Sequence, residues 1–185
     1  MERKHLMIAV SWYGPYTMEE ANQDAFANYG SGLYVCIGQC KYERKNAIQY
    51  IGIGKDLWKR IRPDHHKMRL VVKQQQIWLG EVTTAEPSGI KLKVTKATLD
   101  YAEWMHARFM RLPLNEKKTK TLPPRSVTVL NRWYRSSDYT IRNNRPHPDW
   151  PDLLDYPADE LPARAVWFGS RQRRFLHSDG YARPN

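Results

Sequence analysis

The chain has 185 residues, long enough for one domain with a real core plus extensions, since domains most often run to roughly 100–150 residues. Thirty lysines and arginines against nineteen acidic residues leave a formal charge of +11, a field that attracts polyanions in a salt-sensitive way and makes nucleic acid the leading partner class. Cys36 and Cys40 are the only cysteines; no second pair exists to complete a zinc site, and the two read as ordinary reduced thiols.

Residues 1–30 read as an N-terminal extension. The apolar run from Leu6 to Val10 is short and soon broken by Trp12-Tyr13-Gly14-Pro15, which argues against a signal or membrane segment. A cytoplasmic protein without a membrane partner is the expectation. A helix is predicted from Met18 to Asn28. From Leu33 to Ile37 apolar residues alternate, and the pattern returns at Ile48–Ile53 after a charged connection, which predicts a hairpin. Alternation puts Leu33, Val35 and Ile51 toward the core and lets Tyr34 and Tyr50 look out on a common side.

The stretch Lys55–Arg62 reads as a helix ending near Pro63, because proline disfavours helical backbone in the residue before it. Gln76–Thr83 predicts a third strand, and Pro87-Ser88-Gly89 a loop. The strongest helix signal runs from Ala97 to Arg111, where Ala102, Met105, Phe109 and Leu112 form an apolar stripe stopped by Pro113. From residue 121 onward all ten basic residues are arginine. Strands are expected at Val127–Tyr134 and Arg164–Phe168, with a loop-rich stretch between Arg145 and Pro162. Arginine's planar fork suits phosphate or guanine, so Arg171, Arg173 and Arg174 are candidate nucleic-acid contacts, with a solvated basic tail as the plainer alternative.

Gly32-Leu33-Tyr34 and Tyr50-Ile51-Gly52, followed by Arg60, Glu103 and Asn115, resemble the GIY-YIG nuclease family. The resemblance covers roughly Gly32 to Asn115 and rests on spacing: Arg60 stands ten residues after Tyr50, and Asn115 twelve after Glu103. It implies a metal-dependent endonuclease hydrolysing phosphodiester bonds, with double-stranded DNA as the expected substrate. Glu103 would ligate one Mg²⁺ or Mn²⁺, and Arg60 would clamp the phosphate. Tyr34 would be the general base, with Tyr50 as hydrogen-bond donor or alternate base; this requires a phenol depressed from its usual ~10 by nearby positive charge. Asn115 would hold the site by neutral hydrogen bonds. Family members of the restriction and homing types tend to have a histidine four residues after the arginine. Here that position is Asp64, followed by His65 and His66, so His65 is assigned to assist Tyr34, with His66 as the alternative. Reading Arg62 as the arginine would make His66 the fourth residue on. Lys55 matches a frequent lysine or polar position after the second motif, and it joins Arg62 among the candidate nucleic-acid contacts.

The fold expected is α/β (α+β): a small three-stranded antiparallel sheet flanked by helices, in a catalytic domain over residues 31–120, with extensions at 1–30 and 121–185. Compact size and the arginine-rich segment resemble a stand-alone restriction-type enzyme more than a repair subunit. Cutting both strands with one site per chain calls for a homodimer or two successive events. Two other functions stand beside this one: a non-catalytic DNA-binding module on the same fold, and an RNA- or single-strand-directed nuclease.

Overall fold

The computed structural model describes residues 5–83, 94–158 and 161–175. Its framework is one curled, mixed sheet of eight strands. These are β1 (Leu6–Tyr16), β2 (Gly32–Cys40), β3 (Ala47–Gly54), β4 (Val71–Val82), β5 (Val127–Arg135), β6 (Leu153–Tyr156), β7 (Ala163–Val166) and β8 (Gln172–Phe175). The strand order is β3-β2-β4-β1-β5-β6-β7-β8. Every neighbouring pair is antiparallel except β1 and β5, which run parallel from Leu6 opposite Val127 to Gly14 opposite Arg135.

The expectation of a small three-stranded sheet flanked by helices is therefore corrected. The three strands it named adjoin at one end of a far larger sheet, and the sheet crosses the boundaries drawn at residues 30 and 120. The decisive element is β1, read from sequence as a brief apolar run and a turn. Its backbone bonds to β4 on one side and β5 on the other, so it carries the sheet from the first strand set into the C-terminal one. The stretch expected to be loop-rich contains β6, and Arg171–Arg174 belong largely to β8 at the far edge. The predicted loop at Pro87-Ser88-Gly89 lies outside the described residues.

Three helices complete the fold: α1 (Met18–Asn28), α2 (Leu57–Arg60) and α3 (Lys96–Phe109). Helix α1 begins with a capping box, in which Thr17 Oγ1 accepts from the Glu20 amide and the Glu20 carboxylate accepts from the Thr17 amide. Helix α2 is a single turn, shorter than the Lys55–Arg62 helix expected, and the chain leaves it at Ile61, two residues before Pro63.

Strand β2 is buried on both faces along Gly32–Gly38. On one side Leu33, Val35 and Ile37 join Ile51, Trp12 and Trp78 beneath α3, through Leu99, Ala102 and Met105. On the other, Tyr34 and Cys36 pack with Ala21 and Ala25 of α1 and Leu57 of α2. The Tyr34 face is thus a second core layer as well as the side that carries the tyrosines. Cys36 is buried and unpaired, its thiol pushed up to about 12, chiefly by burial. No helix among the described residues is long and apolar enough to cross a membrane.

Candidate active site

Strand β3 ends the sheet, and along its outer edge runs a cleft of about 480 Å³. Tyr34, Tyr50, Arg60, His65, Glu103 and Asn115 all line it, so residues spread over 82 positions of sequence are brought to one place. Two glycines make this possible. Gly52 faces Tyr34 across the β2–β3 ladder, and a Cβ at residue 52 would lie 2.4 Å from the Tyr34 ring Cζ and Oη. The phenol therefore occupies the space of the missing side chain and crosses β3 to reach the cleft. Gly54 does the same for Arg60, whose Cγ would be 2.9 Å from a Cβ there.

His65 sits in the turn after α2. Its Nδ1 accepts from the amides of Lys67 and Met68, both at 3.1 Å. The neutral ring must then carry its proton on Nε2, which donates to Tyr34 Oη at 2.9 Å. Burial pushes the imidazole down to about 4, with the His66 and Arg60 charges acting the same way. His66 is exposed and stacks on His65 at a centroid distance of 4.7 Å. It is His65, not His66, that touches the first-motif tyrosine. Arg62 forks onto Asp64 at the surface through Nε and Nη2, and it does not line the cleft that Arg60 lines.

The two phenols are not alike. Burial pushes Tyr34 strongly upward, and Tyr50 raises it further by charge and by accepting its hydrogen bond; Arg60 pulls the other way but does not prevail. The depressed phenol expected at Tyr34 is thus corrected: desolvation outweighs the one nearby guanidinium. Tyr50 is also raised by burial, but the hydrogen bond from Tyr34 stabilises its ionised form. His65 Nε2–H donates to Tyr34 Oη, and the Tyr34 and Tyr50 rings lie side by side with centroids 6.0 Å apart.

Glu103 and Asp100 stand one turn apart on α3, as residues at i and i+3 do, and both line the cleft. A single ammonium bridges them. Lys118 Nζ lies 2.5 Å from Glu103 Oε2 and 3.1 Å from Asp100 Oδ1. Burial works against that charge, but Glu103 and then Asp100 outweigh it and hold the ammonium above its ordinary range. Among the described residues no group of three or more His, Cys, Asp or Glu side chains converges as a metal cage. What the cleft offers is two carboxylates already gathered on one cation, a donor set suited to a hard ion that keeps most of its waters.

Asn115 does its work on the backbone. Its Oδ1 accepts from the Ile51 amide at 3.0 Å and its Nδ2 donates to the Ile51 carbonyl at 2.9 Å, while the Leu114 amide reaches the Gln49 carbonyl at 3.0 Å. Residues 114–115 therefore close the open edge of β3 on either side of Tyr50 as a neighbouring strand would. Lys67, held by Glu116, and Lys96 and Lys117 complete a lining of five cations against three carboxylates, which gives the cleft a positive field.

Among the other predicted contacts, Lys55 lines an adjoining cavity that shares Ile53, Arg60 and Lys96 with the cleft, so the two form one groove. Arg171 and Arg173 lie at the opposite end of the sheet. Arg171 bonds to Asp149 and covers the Trp167 ring at 4.3 Å, and Arg173 covers Phe175 at 5.1 Å. Arg174 is exposed on β8, opposite Arg164. Sequence reasoning missed Asp100 and Lys118. The i, i+3 spacing of Asp100 and Glu103 was a usable signal for the first; nothing local marks the second. No protein-family model, no curated protein and no solved structure matches the chain.

Proposed function

We propose that the chain is a metal-dependent nuclease that hydrolyses phosphodiester bonds in DNA, as its GIY-YIG-like motifs suggest. The observation that carries this reading is the meeting of all six motif-assigned side chains in one basic cleft. Arg60 has no ion-pair partner among the described residues and is free to grip a non-bridging phosphate oxygen with paired donors. Asp100 and Glu103 would hold one Mg²⁺ or Mn²⁺ where the Lys118 ammonium now lies. When bound, that ion neutralises charge on the phosphate and helps the leaving oxygen.

Tyr50 is the better base of the two phenols. It is the less buried of the two, and its neighbour Tyr34 favours its ionised form while Tyr50 disfavours that of Tyr34. His65 fixes the orientation of the Tyr34 hydroxyl through Nε2–H. Ionised to the phenolate, its own proton given up to solvent, Tyr50 would take the proton of the attacking water as the water oxygen bonds to phosphorus and the P–O bond to the leaving sugar oxygen breaks. Asn115 acts as a positioning residue, holding the β3 edge that presents Tyr50.

Incubating the chain with supercoiled plasmid DNA in Mg²⁺, Mn²⁺ or EDTA tests the proposal. Nicking that needs the metal and disappears in the Glu103→Ala variant, with DNA binding retained, is the expected result. Full metal-dependent cleavage by that variant would sink the assignment. One observation favours the second reading, a binding module without turnover: Lys118 already satisfies both carboxylates. Tight DNA binding without nicking in any metal would select it.

A further inference from the structure

A second basic cavity, remote from the cleft, lies where the ends of β1 and β5 meet. It encloses about 400 Å³ and is lined by Gly14, Pro15, Arg135, Ser136, Ser137, Arg142, Asn143 and Asn144. Two guanidiniums and four small polar side chains face it, and no acidic residue lines it. Four arginines elsewhere are each matched by a carboxylate: Arg62 by Asp64, Arg145 by Asp152, Arg164 by Asp155 and Arg171 by Asp149. Among the described residues Arg135 and Arg142 have no such carboxylate within 4.0 Å. Asp138, in the same turn, feels Arg135, but its carboxylate is engaged by the Thr140 amide and hydroxyl.

Both arginines are held in place, not waving in solvent. Arg135 Nη1 donates to Thr140 Oγ1 and the Ile141 carbonyl. Arg142 lies over the Trp78 ring at 5.1 Å, and its Nε donates to the Asn144 carbonyl. Each bond uses only part of a five-donor fork. Two like charges fixed on one cavity repel each other, and burial and Arg135 together push the Arg142 guanidinium below its ordinary range. An anion between them would relieve both.

The cavity stands at the same level of the sheet as the cleft. Ile51 faces Val35, Val35 faces Trp78, and Gly14 beside the Trp78 ring faces Arg135. Four inter-strand steps of ~4.8 Å separate β3, which borders the cleft, from β5, which borders the cavity, by about 19 Å along the sheet, a span of the order of five or six phosphates of one DNA strand at ~3.4 Å of axis each. We propose that the Arg135–Arg142 cavity is a second backbone-phosphate site, gripping the nucleic acid several nucleotides from the phosphate being cut. This deepens the nuclease reading and rests on it.

The test is fluorescence anisotropy of labelled duplexes in EDTA with the full chain, comparing wild type, Arg135→Ala/Arg142→Ala and Ser137→Asp. Ser137 is exposed, so the third chain supplies a carboxylate to the cavity without disturbing the turn that Arg135 braces. Roughly tenfold weaker binding of a 16-base-pair duplex is expected in both variants, as for loss of a charged, hydrogen-bonded contact. The slope of log affinity against log salt should flatten by ~0.9 for each phosphate released. A 4-base-pair duplex, too short to bridge the sites, should bind all three chains alike. Unchanged affinity for the long duplex in both variants overturns the proposal, as does an equal loss for the short one. Weaker binding in EDTA, with no cleavage by any chain when Mg²⁺ or Mn²⁺ replaces the EDTA, supports this site while removing the nuclease reading; a wild type that binds inorganic phosphate but no duplex overturns both.

Discussion

Replacing Lys118 with methionine removes the cation that Asp100 and Glu103 share while keeping most of the side-chain stem. The Lys118 side chain is 22% exposed and that of Glu103 15%, so water screens their contact only in part. A divalent ion entering between the carboxylates must first displace the ammonium. A charge-assisted hydrogen bond contributes roughly 1.5–3 kcal/mol net, and at 1.36 kcal/mol per tenfold change that displacement weakens the metal by roughly 10- to 150-fold. Lys118→Met should therefore bind Mn²⁺ tighter by about that factor, read by titration of the free Mn²⁺ paramagnetic resonance signal with no substrate present. The same variant should melt lower than wild type in EDTA, because two facing carboxylates lose their counter-charge, and should recover when Mn²⁺ is added. Unchanged or weaker Mn²⁺ binding would refute the idea that the ammonium occupies the metal's place.

Gly52→Ala should drive the Tyr34 ring out of its path across β3, since the new Cβ would lie 2.4 Å from it. A stability loss of about 1–3 kcal/mol, as for overpacking, should appear in urea unfolding, with cleavage falling at least as steeply; a variant as stable and active as wild type contradicts the packing argument. Asn115→Ala strips the partners from both polar groups of Ile51 and should cost about 1–3 kcal/mol, while Asn115→Asp, which keeps only the acceptor, should fall between the two; equal losses would show that the paired bond is not the cause. His65 is held down at about 4, against 6.5 when free, so between these values the unfolded chain binds more protons than the folded one. Stability should fall as pH drops from about 6.5 toward 4, because the unfolded chain takes up a proton there that the folded ring, whose Nδ1 accepts from Lys67 and Met68, does not. His65→Gln should lose part of that slope in pH-dependent urea melts and keep the part due to His106, also lowered by burial; an unchanged slope would discount His65.

The hairpin and its tyrosines were legible because they depend on local order. A period of two along each strand sets which side chains share a face, and the register pairing Tyr34 with Gly52 follows from those two strands alone. The start of α1 at Met18 was equally local, fixed by a capping box within four residues. The grouping of Arg60, Glu103 and Asn115 with the two tyrosines came from the spacing of the motifs they resemble, and the fold brings all of them to one cleft. Sequence could not show that Leu6–Tyr16 is a central strand. The hydrogen bonds that make it one come from residues more than 60 and 110 positions away, at β4 and β5, and no window of neighbours holds that information. The same holds for Lys118, whose charge reads as ordinary surface lysine until α3 and the following loop close it onto Glu103 and Asp100. Local period thus determined which side chains point together, while only the assembled sheet and helices decided which charges meet, because electrostatic and hydrogen-bond partners are chosen by distance in space and not along the chain.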